Sequence, residues 1–295
     1  MTTTIIGTGL LGGSFAIALR ENKMTDHIIG VDLDPQAALR AVELGIVDQT
    51  LDLKSAIAQS NLVVIAIPVD RIPRMAITIL DLLAPPSAHP QGRTLPDNIT
   101  VIDLGSIKGE LCEKIAAHPA RPLFVATHPM WGTEYSGPEA ALANKGKAFR
   151  GRSVVICQKD HSLAQSVDLV ENIYRNFGMS ILYMDPEEHD VHAAYVSHIS
   201  HITSFALALT VLEKEREDAA IFSMAGGGFE STVRLAKSSV DMWLPIFMKN
   251  KYNVLDVLRE NIHQLKIFQR LIENDDQQAL HDLIEKANTI KRILN

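Results

Sequence analysis

The sequence predicts an α/β protein in which a doubly wound parallel sheet is followed by an all-α domain. Two observations carry this prediction. Up to Asp185, short apolar runs typical of strands alternate with segments of helical periodicity, and such alternation is typical of a parallel sheet covered by helices. From Pro186 onward the strand patterns stop and helical periodicity remains. We therefore expect two domains, residues 1–185 and 186–295.

The predicted strands of the first domain are Thr3–Ile6, His27–Leu33, Leu62–Ile67, Thr100–Leu104, Leu123–Thr127, Ser153–Gln158 and Ser180–Met184. The helices predicted between them are Leu10–Arg20, Pro35–Leu44, Ile72–Leu83, Lys108–Ala117 and Leu163–Phe177. The helices predicted for the second domain are Glu187–Lys214, Asp218–Phe222, Val240–Asn250, Tyr252–Ile272 and Asp276–Ile293. The proline-rich segment from Ala84 to Asn98 is predicted to be a surface loop.

Composition excludes several classes of protein. The 295 residues carry a net charge of −7 and no cluster of Lys and Arg, which argues against a nucleic-acid partner. Cys112 and Cys157 lack metal-site or disulfide spacing and suit the reducing cytoplasm. The longest apolar run, Leu62–Val69, is too short to span a bilayer, so we expect no membrane partner. The N-terminus carries no signal-peptide pattern.

A glycine-rich segment, Gly7-Thr8-Gly9-Leu10-Leu11-Gly12, joins the first predicted strand to the first helix. In this context the glycines permit a tight turn, close approach of a pyrophosphate to the backbone, and close packing of helix on sheet. Asp32 lies at the end of the second predicted strand, where a carboxylate accepts hydrogen bonds from both ribose hydroxyls and repels a 2′-phosphate. The pattern predicts a Rossmann-type domain that binds NAD rather than NADP.

Ligands of open α/β sheets lie beyond the carboxyl ends of the strands. Pro68 follows the third long strand, Ser106 the fourth and His128 the fifth, and the segment after His128 contains Thr133 and Glu134. We expect Pro68 to line the cofactor site. Ser106 and His128 are candidates for an acid/base residue and its hydrogen-bond partner.

Two features of the helical half leave alternatives open. His198 and His201 are three residues apart, so they lie on one helix face and are either metal ligands or packing residues. No third ligand or metal-binding motif accompanies them, and we expect no metal. Arg234 follows three glycines, Gly226–Gly228. It either binds a carboxylate through two hydrogen bonds or is a solvent-exposed charge on a helix.

Together these motifs resemble the prephenate/arogenate dehydrogenases of tyrosine biosynthesis. The matching segments span nearly the whole chain in the family's order: Gly7–Ser14 with Asp32, Asp103–Gly109, His128 through Glu134, Ser197-His198 with His201, Gly226–Arg234, and Asp241 through Asn250.

The resemblance implies an NAD-dependent oxidoreductase that oxidises and decarboxylates a cyclohexadienol. His128 would be the catalytic histidine and Ser106 its partner, while Arg234 would bind a substrate carboxylate. The resemblance also places the following residues at the substrate site: Ser197, His201, Thr133, Glu134 and Trp243.

The family's second histidine, His201 here, favours prephenate over the alternative substrate arogenate. The resemblance further implies a homodimer built by the C-terminal helices, and apolar residues on more than one helix face support it. Trp243 is expected near the neighbouring subunit's pocket, with packing inside its own chain as the alternative.

Two other classes remain as hypotheses. A β-hydroxyacid dehydrogenase would place a catalytic lysine in a glycine-rich helical segment, whereas the C-terminal glycines here lead to Arg234. A non-enzymatic NAD-sensing protein would keep the glycine turn and Asp32 but would not need Ser106 and His128 at two strand ends.

Overall fold

A computed structural model describes residues 1–84, 96, 98–143, 148–216 and 220–293. Most of the predicted loop from Ala84 to Asn98 and the start of the helix predicted from Asp218 lie outside these ranges. Within them the chain divides into two compact units, residues 1–250 and 251–295.

The first unit contains one sheet of eight strands in its described part, in the order β3-β2-β1-β4-β5-β6-β7-β8. The strands are β1 Thr2–Ile6, β2 His27–Val31, β3 Gln49–Thr50, β4 Leu62–Ile65, β5 Thr100–Asp103, β6 Phe124–Pro129, β7 Ser153–Cys157 and β8 Ser180–Met184. The sequence patterns did not indicate β3, because two residues are too few to show an alternation.

The sheet is not parallel throughout, which corrects the expectation from the alternating pattern. Strands β1 to β6 are parallel to their neighbours, but β7 runs antiparallel to β6, with His128 opposite Val155. An antiparallel neighbour begins at the edge where the preceding strand ends. The connection between β6 and β7 therefore starts and finishes at the carboxyl edge of the parallel strands, which is the edge where ligands bind.

The helices that precede Asp185 are α1 Leu10–Glu21, α2 Pro35–Glu43, α3 Leu53–Ile57, α4 Ile72–Leu83, α5 Gly109–Ile115, α6 Pro138–Ala143 and α7 Ala164–Asn176. Those of the helical part are α8 Pro186–Ala193, α9 Ile199–Glu215, α10 Gly227–Val233, α11 Val240–Lys249, α12 Lys251–Glu273 and α13 Gln277–Asn288. A π-helical turn, Ala194–His198, joins α8 to α9. The short helices α3 and α6 were not predicted from the sequence.

Both faces of the sheet are covered, as a parallel sheet requires. Alternate strand residues such as Ile5 and Val64 pack with Phe15 of α1 and Tyr174 of α7. The residues between them, such as Val63, pack on the opposite face with α4 and α5. The period of two along each strand thus produces two apolar layers around one sheet.

The continuous helical segment Pro186–Glu215 is, among the described residues, the one helix long and apolar enough to cross a bilayer by length and composition. The expectation of no such segment rested on uninterrupted apolar runs, whereas here polar residues are interspersed. In this chain only 17% of its most apolar 18-residue stretch is buried. In this segment His189, Asp190 and His198 make hydrogen bonds to β6, to the chain after β5 and to Asn250.

The helical part of the chain exposes many large apolar side chains, as expected of helices that bury a further face against a partner. Examples are Leu209, Met224, Val240, Leu244, Met248 and Tyr252, each more than half exposed.

Candidate active site

The glycine turn after β1 has the geometry that its sequence predicts. Gly7 has a φ of +91°, and a Cβ there would lie 2.4 Å from the carbonyl oxygen of Ala66. A Cβ at Gly12 would lie 2.0 Å from the carbonyl oxygen of Gly7, so glycine is needed for α1 to start against the strand. A Cβ at Gly9, in contrast, would lie more than 4 Å from the side chains and strands that the structure describes around this turn. Packing of the chain does not require glycine at position 9.

The carboxylate of Asp32 is held beside this turn. Its Oδ2 accepts hydrogen bonds from the backbone N and the Oγ1 of Thr8, at 2.8 and 2.9 Å. Its Oδ1 accepts from the backbone N of Asp34 at 3.0 Å. Since a carboxylate has about four acceptor positions, one remains for a ligand hydroxyl. The buried side chain of Thr8 therefore orients Asp32, while Leu10 and Leu11 begin α1 and are partly buried.

These residues fit a dinucleotide. The open approach to Gly9 leaves backbone N–H groups accessible to a pyrophosphate at the start of α1, and Asp32 offers an oriented acceptor for a ribose. Pro68, also predicted to bind the cofactor, is exposed just beyond the carboxyl end of β4.

A fully buried ion pair lies at the ends of β5 and β6. The Nζ of Lys108 donates to Oδ2 of Asp103, which also accepts from the backbone N of Gly105 at 2.9 Å. The other oxygen of Asp103 accepts from the backbone N of Thr127 at 3.2 Å. Burial raises the pKa of Asp103, and the Lys108 ammonium opposes that rise. The pair fixes the chain that carries Ser106 against the strand that carries His128.

His128 lies in β6 and is the first member of a line of hydrogen bonds. Its Nδ1 is 2.8 Å from Nε2 of His189, and Nδ1 of His189 is 2.8 Å from Oδ1 of Asp190. All three residues are buried. Burial, followed by the charges of His189 and Lys108, holds the pKa of His128 well below its ordinary value, so the ring is neutral at pH 7.

The second nitrogen of His128, Nε2, makes no hydrogen bond to any described residue, yet it is not sealed from solvent. Ser106, predicted to be the partner of His128, is half-buried on the loop after β5, and no hydrogen bond joins the two within the described residues. The hydrogen bond that the structure gives the His128 ring runs to His189. The role of Ser106 stays a prediction.

The π-helical turn places the next group of side chains, and such turns are frequent at functional sites. Nδ1 of His198 accepts from Nδ2 of Asn250 at 3.2 Å, and burial lowers the pKa of His198 to about 4. Nδ1 of His201 donates to the backbone oxygen of Ser197 at 3.1 Å. Burial also lowers the pKa of His201.

The ring of His201 stacks on Trp243, with centroids 3.4 Å apart, and His198 meets the same indole edge to face at 6.0 Å. Trp243 is only 6% exposed and packs with Ile107. Within this single chain α11 packs on the loop after β5, and the approach of Trp243 to a neighbouring subunit stays a prediction.

Neither His198 nor His201 belongs to a group of close potential ligand atoms among the described residues. Within the described ranges, one set of three potential ligands has its atoms within 4.8 Å of each other: His281, Asp282 and Glu285, all exposed on α13.

Arg234 follows α10 and contacts the segment after β6. Its Nη1 donates to Oε2 of Glu134 at 2.9 Å. The pKa of Glu134 is lowered, first by its own backbone N–H and then by Arg234. Thr133 is half-buried beside it, and its Oγ1 accepts from the backbone N of Tyr135 at 3.2 Å. Two of the predicted substrate residues, distant in sequence, thus form one ion pair.

Sequence reasoning missed four polar residues of this region: Lys108, His189, Asp190 and Asn250. For His189 and Asp190 the sequence does contain an indication. The buried residues of α8 are Pro186, His189, Asp190 and Ala193, which is the i, i+3, i+4, i+7 stripe of a packed helix. Two titratable residues in such a stripe indicate buried polar contacts.

Comparisons with known proteins identify the family of the chain. Residues 15–183 match the family described as prephenate dehydrogenase, nucleotide-binding domain, and residues 185–286 match prephenate dehydrogenase, dimerization domain. The first match begins just after the glycine turn.

Among similar proteins, a prephenate dehydrogenase of Bacillus subtilis is 29% identical over 288 residues, covering 97% of this chain and 74% of the relative. A cyclohexadienyl dehydrogenase of Zymomonas mobilis is 27% identical over 292 residues, covering 98% of this chain and 94% of the relative.

A solved structure of an A. aeolicus prephenate dehydrogenase, in complex with hydroxyphenyl propionate and NAD⁺, superposes with a TM-score of 0.85 and 29% identity. That superposition covers 100% of this chain and 98% of the other. The two family matches together extend over most of the chain, from residue 15 to residue 286, so the chain belongs to the prephenate dehydrogenase family.

Proposed function

We propose that this chain oxidises and decarboxylates prephenate with NAD, giving 4-hydroxyphenylpyruvate for tyrosine biosynthesis. The observation that carries the proposal is His128, a buried neutral histidine with an accessible Nε2, on the sheet whose glycine turn fits a dinucleotide. Membership of the prephenate dehydrogenase family supports the substrate. The A. aeolicus relative, whose structure contains NAD⁺, supports the cofactor.

The turn from Gly7 to Gly12 would hold the pyrophosphate, and Asp32 would accept a hydrogen bond from a ribose hydroxyl. When bound, NAD supplies a hydride acceptor for the carbinol carbon of the substrate. The side chains of this protein would bind and orient the substrate and accept its proton.

Nε2 of His128 accepts the proton of the ring hydroxyl while carbonyl character develops on that carbon. The bond between the ring and its carboxylate then breaks and carbon dioxide leaves, with the bonding electron pair entering the ring, which becomes aromatic. The resulting phenolate takes back the proton from Nε2, so His128 ends the cycle neutral. The role predicted for Ser106, orienting the His128 ring, is kept as part of this proposal.

Arg234 would bind a carboxylate of the substrate and hold the ring at the right distance from His128. It is half exposed and paired with Glu134, so it is reachable by an incoming anion. Ser197, His201, Thr133 and Trp243 complete the proposed substrate site.

Arogenate is the alternative substrate, and it carries an ammonium group where prephenate carries a keto group. We propose that His201 favours prephenate. Replacing His201 with Leu should lower the ratio of kcat/KM for prephenate to kcat/KM for arogenate. An unchanged ratio in that variant would exclude His201 as the determinant.

Three further points belong to this proposal. The exposed apolar side chains of the helical part, together with its match to a dimerization domain, support a homodimer. The domain boundary near Asp185 and a cytoplasmic location are proposed as well, the latter because Cys112 and Cys157 are both buried and unpaired.

The test is a direct assay. The purified protein is mixed with NAD and prephenate, and separately with NAD and arogenate, while absorbance of the reduced nicotinamide and release of carbon dioxide are followed. With prephenate we expect reduced nicotinamide and carbon dioxide to form in equal amounts. Reduced nicotinamide without carbon dioxide would instead favour a β-hydroxyacid dehydrogenase, and no reaction with either dienol would reject the proposed function.

A further inference from the structure

We infer that His189 and Asp190 are positioning residues that fix the tautomer of His128, so that its Nε2 is the nitrogen with a free lone pair. This inference rests on the proposed function for its catalytic consequence. The tautomer itself is a property of the protein without substrate.

The direction of the hydrogen bonds follows from the end of the line. The carboxylate of Asp190 has only acceptors, so Nδ1 of His189, at 2.8 Å from it, carries the proton and donates. In the neutral form of His189, Nε2 is then an acceptor. Nδ1 of His128, at 2.8 Å from that acceptor, must therefore carry its own proton. The lone pair of neutral His128 is left on Nε2.

Asp190 is held in place independently of the two rings. Its Oδ1 accepts from the backbone N of Lys108 and its Oδ2 from the backbone N of Gly109, both at 2.8 Å. A Cβ at Gly109 would lie 3.0 Å from Oδ2, so glycine there leaves room for the carboxylate. The backbone oxygen of Asp190 accepts from Nδ2 of Asn250 at 2.6 Å. The end of the line is thus anchored to two other elements.

The opposite tautomers of His189 and His128 are incompatible with the position of the Asp190 carboxylate. A lone pair on Nδ1 of His189 would face the Asp190 carboxylate, which has no proton to donate, and two buried acceptors would oppose each other. The rings of His128 and His189 meet at 73°, with centroids 5.0 Å apart, so the contact between them runs through the nitrogens rather than by stacking.

The hydrogen bonds from His128 through His189 to Asp190 also stabilise the protonated form of His128. When Nε2 takes a proton from substrate, Nδ1 keeps its own proton and continues to donate to His189. The carboxylate of Asp190 lies beyond that ring and favours the positive charge. No proton moves along the line: the one on Nε2 returns to the oxygen of the aromatic product.

The decisive experiment is ¹⁵N NMR of histidine-labelled protein without substrate at pH 7.5. Loss of a signal in His128→Asn and in His189→Phe assigns the two rings. We expect His128 and His189 both to be neutral with the proton on Nδ1. A proton on Nε2 of His128 overturns the inference, whether or not the protein turns over prephenate.

Kinetics of three variants give the second measurement. His189→Phe keeps ring volume without nitrogens, Asp190→Asn removes the charge, and His192→Phe is the matched control, an exposed histidine on the same helix. We expect kcat to fall by at least about tenfold in the first two, with KM and NAD affinity within about twofold, and no change in the control.

In His189→Phe, the tautomer of His128 and the value of kcat must both change. If His189→Phe leaves the His128 signals and kcat as they are, the inference is wrong. If it lowers kcat while the proton of His128 stays on Nδ1, His189 is structural only and the inference is again wrong. If the wild-type protein has the expected tautomer but oxidises neither dienol, the proposed function fails and the positioning of His128 stands.

Discussion

Arg234 and Glu134, one hundred residues apart in sequence, form an ion pair with 2.9 Å between Nη1 and Oε2. The pair joins the segment after β6 to the chain after α10. The guanidinium group of Arg234 is therefore paired with a carboxylate before substrate binds. A carboxylate of the substrate has the same geometry and can replace Glu134 as its partner.

Replacing Arg234 with Gln should raise KM for prephenate on the order of tenfold to a hundredfold, because a lost charged hydrogen bond costs about 1.5–3 kcal/mol. The turnover number should change little. Steady-state kinetics with Lys237→Gln as control, an exposed cation three residues along, will check this. A fall in kcat at unchanged KM would assign Arg234 another role.

Replacing His128 with Asn should lower kcat by about a hundredfold or more, since a positioned general base commonly contributes that much. Binding of NAD, followed by fluorescence titration, should stay near normal. The exposed His161 provides the control, His161→Asn. Retained turnover in His128→Asn would rule out this residue as the base.

The pH profile should show the lowered pKa of His128. Because the reactive form is neutral and burial holds the pKa well below 6.5, kcat/KM should stay flat as pH falls from 8 to 6.5. It should decline only at lower pH, as His128 gains a proton. An acid limb centred at or above pH 6.5 would contradict the effect of burial.

Replacing Asp32 with Asn should weaken NAD binding and relax discrimination against NADP. The variant keeps the side-chain size but removes the charge that opposes a 2′-phosphate. Asp52→Asn, a change at the exposed cap of α3, is the charge-matched control. Equal use of NAD and NADP by the wild-type protein would show that Asp32 does not select the cofactor.

Acid should destabilise the fold partly through His198. Its pKa is about 4 in the folded chain and 6.5 as a free group, so the unfolded chain binds more protons between these values. The free energy of unfolding should therefore fall as pH drops from 6.5 to 4, by about 3 kcal/mol from this residue. In urea titrations at fixed protein concentration, His198→Gln should show the weaker pH dependence. Parallel curves for wild type and variant would refute this assignment.

Replacing Leu209 with Glu should dissociate the proposed dimer, because a charge would replace an apolar side chain that is 59% exposed on α9. Leu39→Glu on α2, at a site 60% exposed outside the dimerization match, should leave assembly unchanged. Sedimentation velocity at micromolar concentration distinguishes the two. A fully active wild-type monomer would refute the dimer itself.

Local pattern was enough to predict most of the fold. The strands and the longer helices follow from periodicity, and the glycine turn with Asp32 follows from residue type and spacing. These features depend on neighbours in sequence: a period of two buries alternate strand residues, and only glycine tolerates the φ of +91° at Gly7. His128 was likewise a candidate from its position at a strand end, whereas the roles predicted for Arg234 and Glu134 came from the family resemblance.

The direction of β7 and the partner of His128 were decided by the tertiary structure alone. Strand direction depends on where the connection runs, which residue patterns within the strand do not record. His189 is 61 residues from His128, and Asp190 is 82 residues from the Lys108 backbone it bonds, so no local spacing relates them. The stacking of His201 on Trp243, 42 residues further along the chain, likewise depends on how α11 packs. Hydrogen bonds between buried polar groups depend on which elements pack together, and packing is a property of the whole chain.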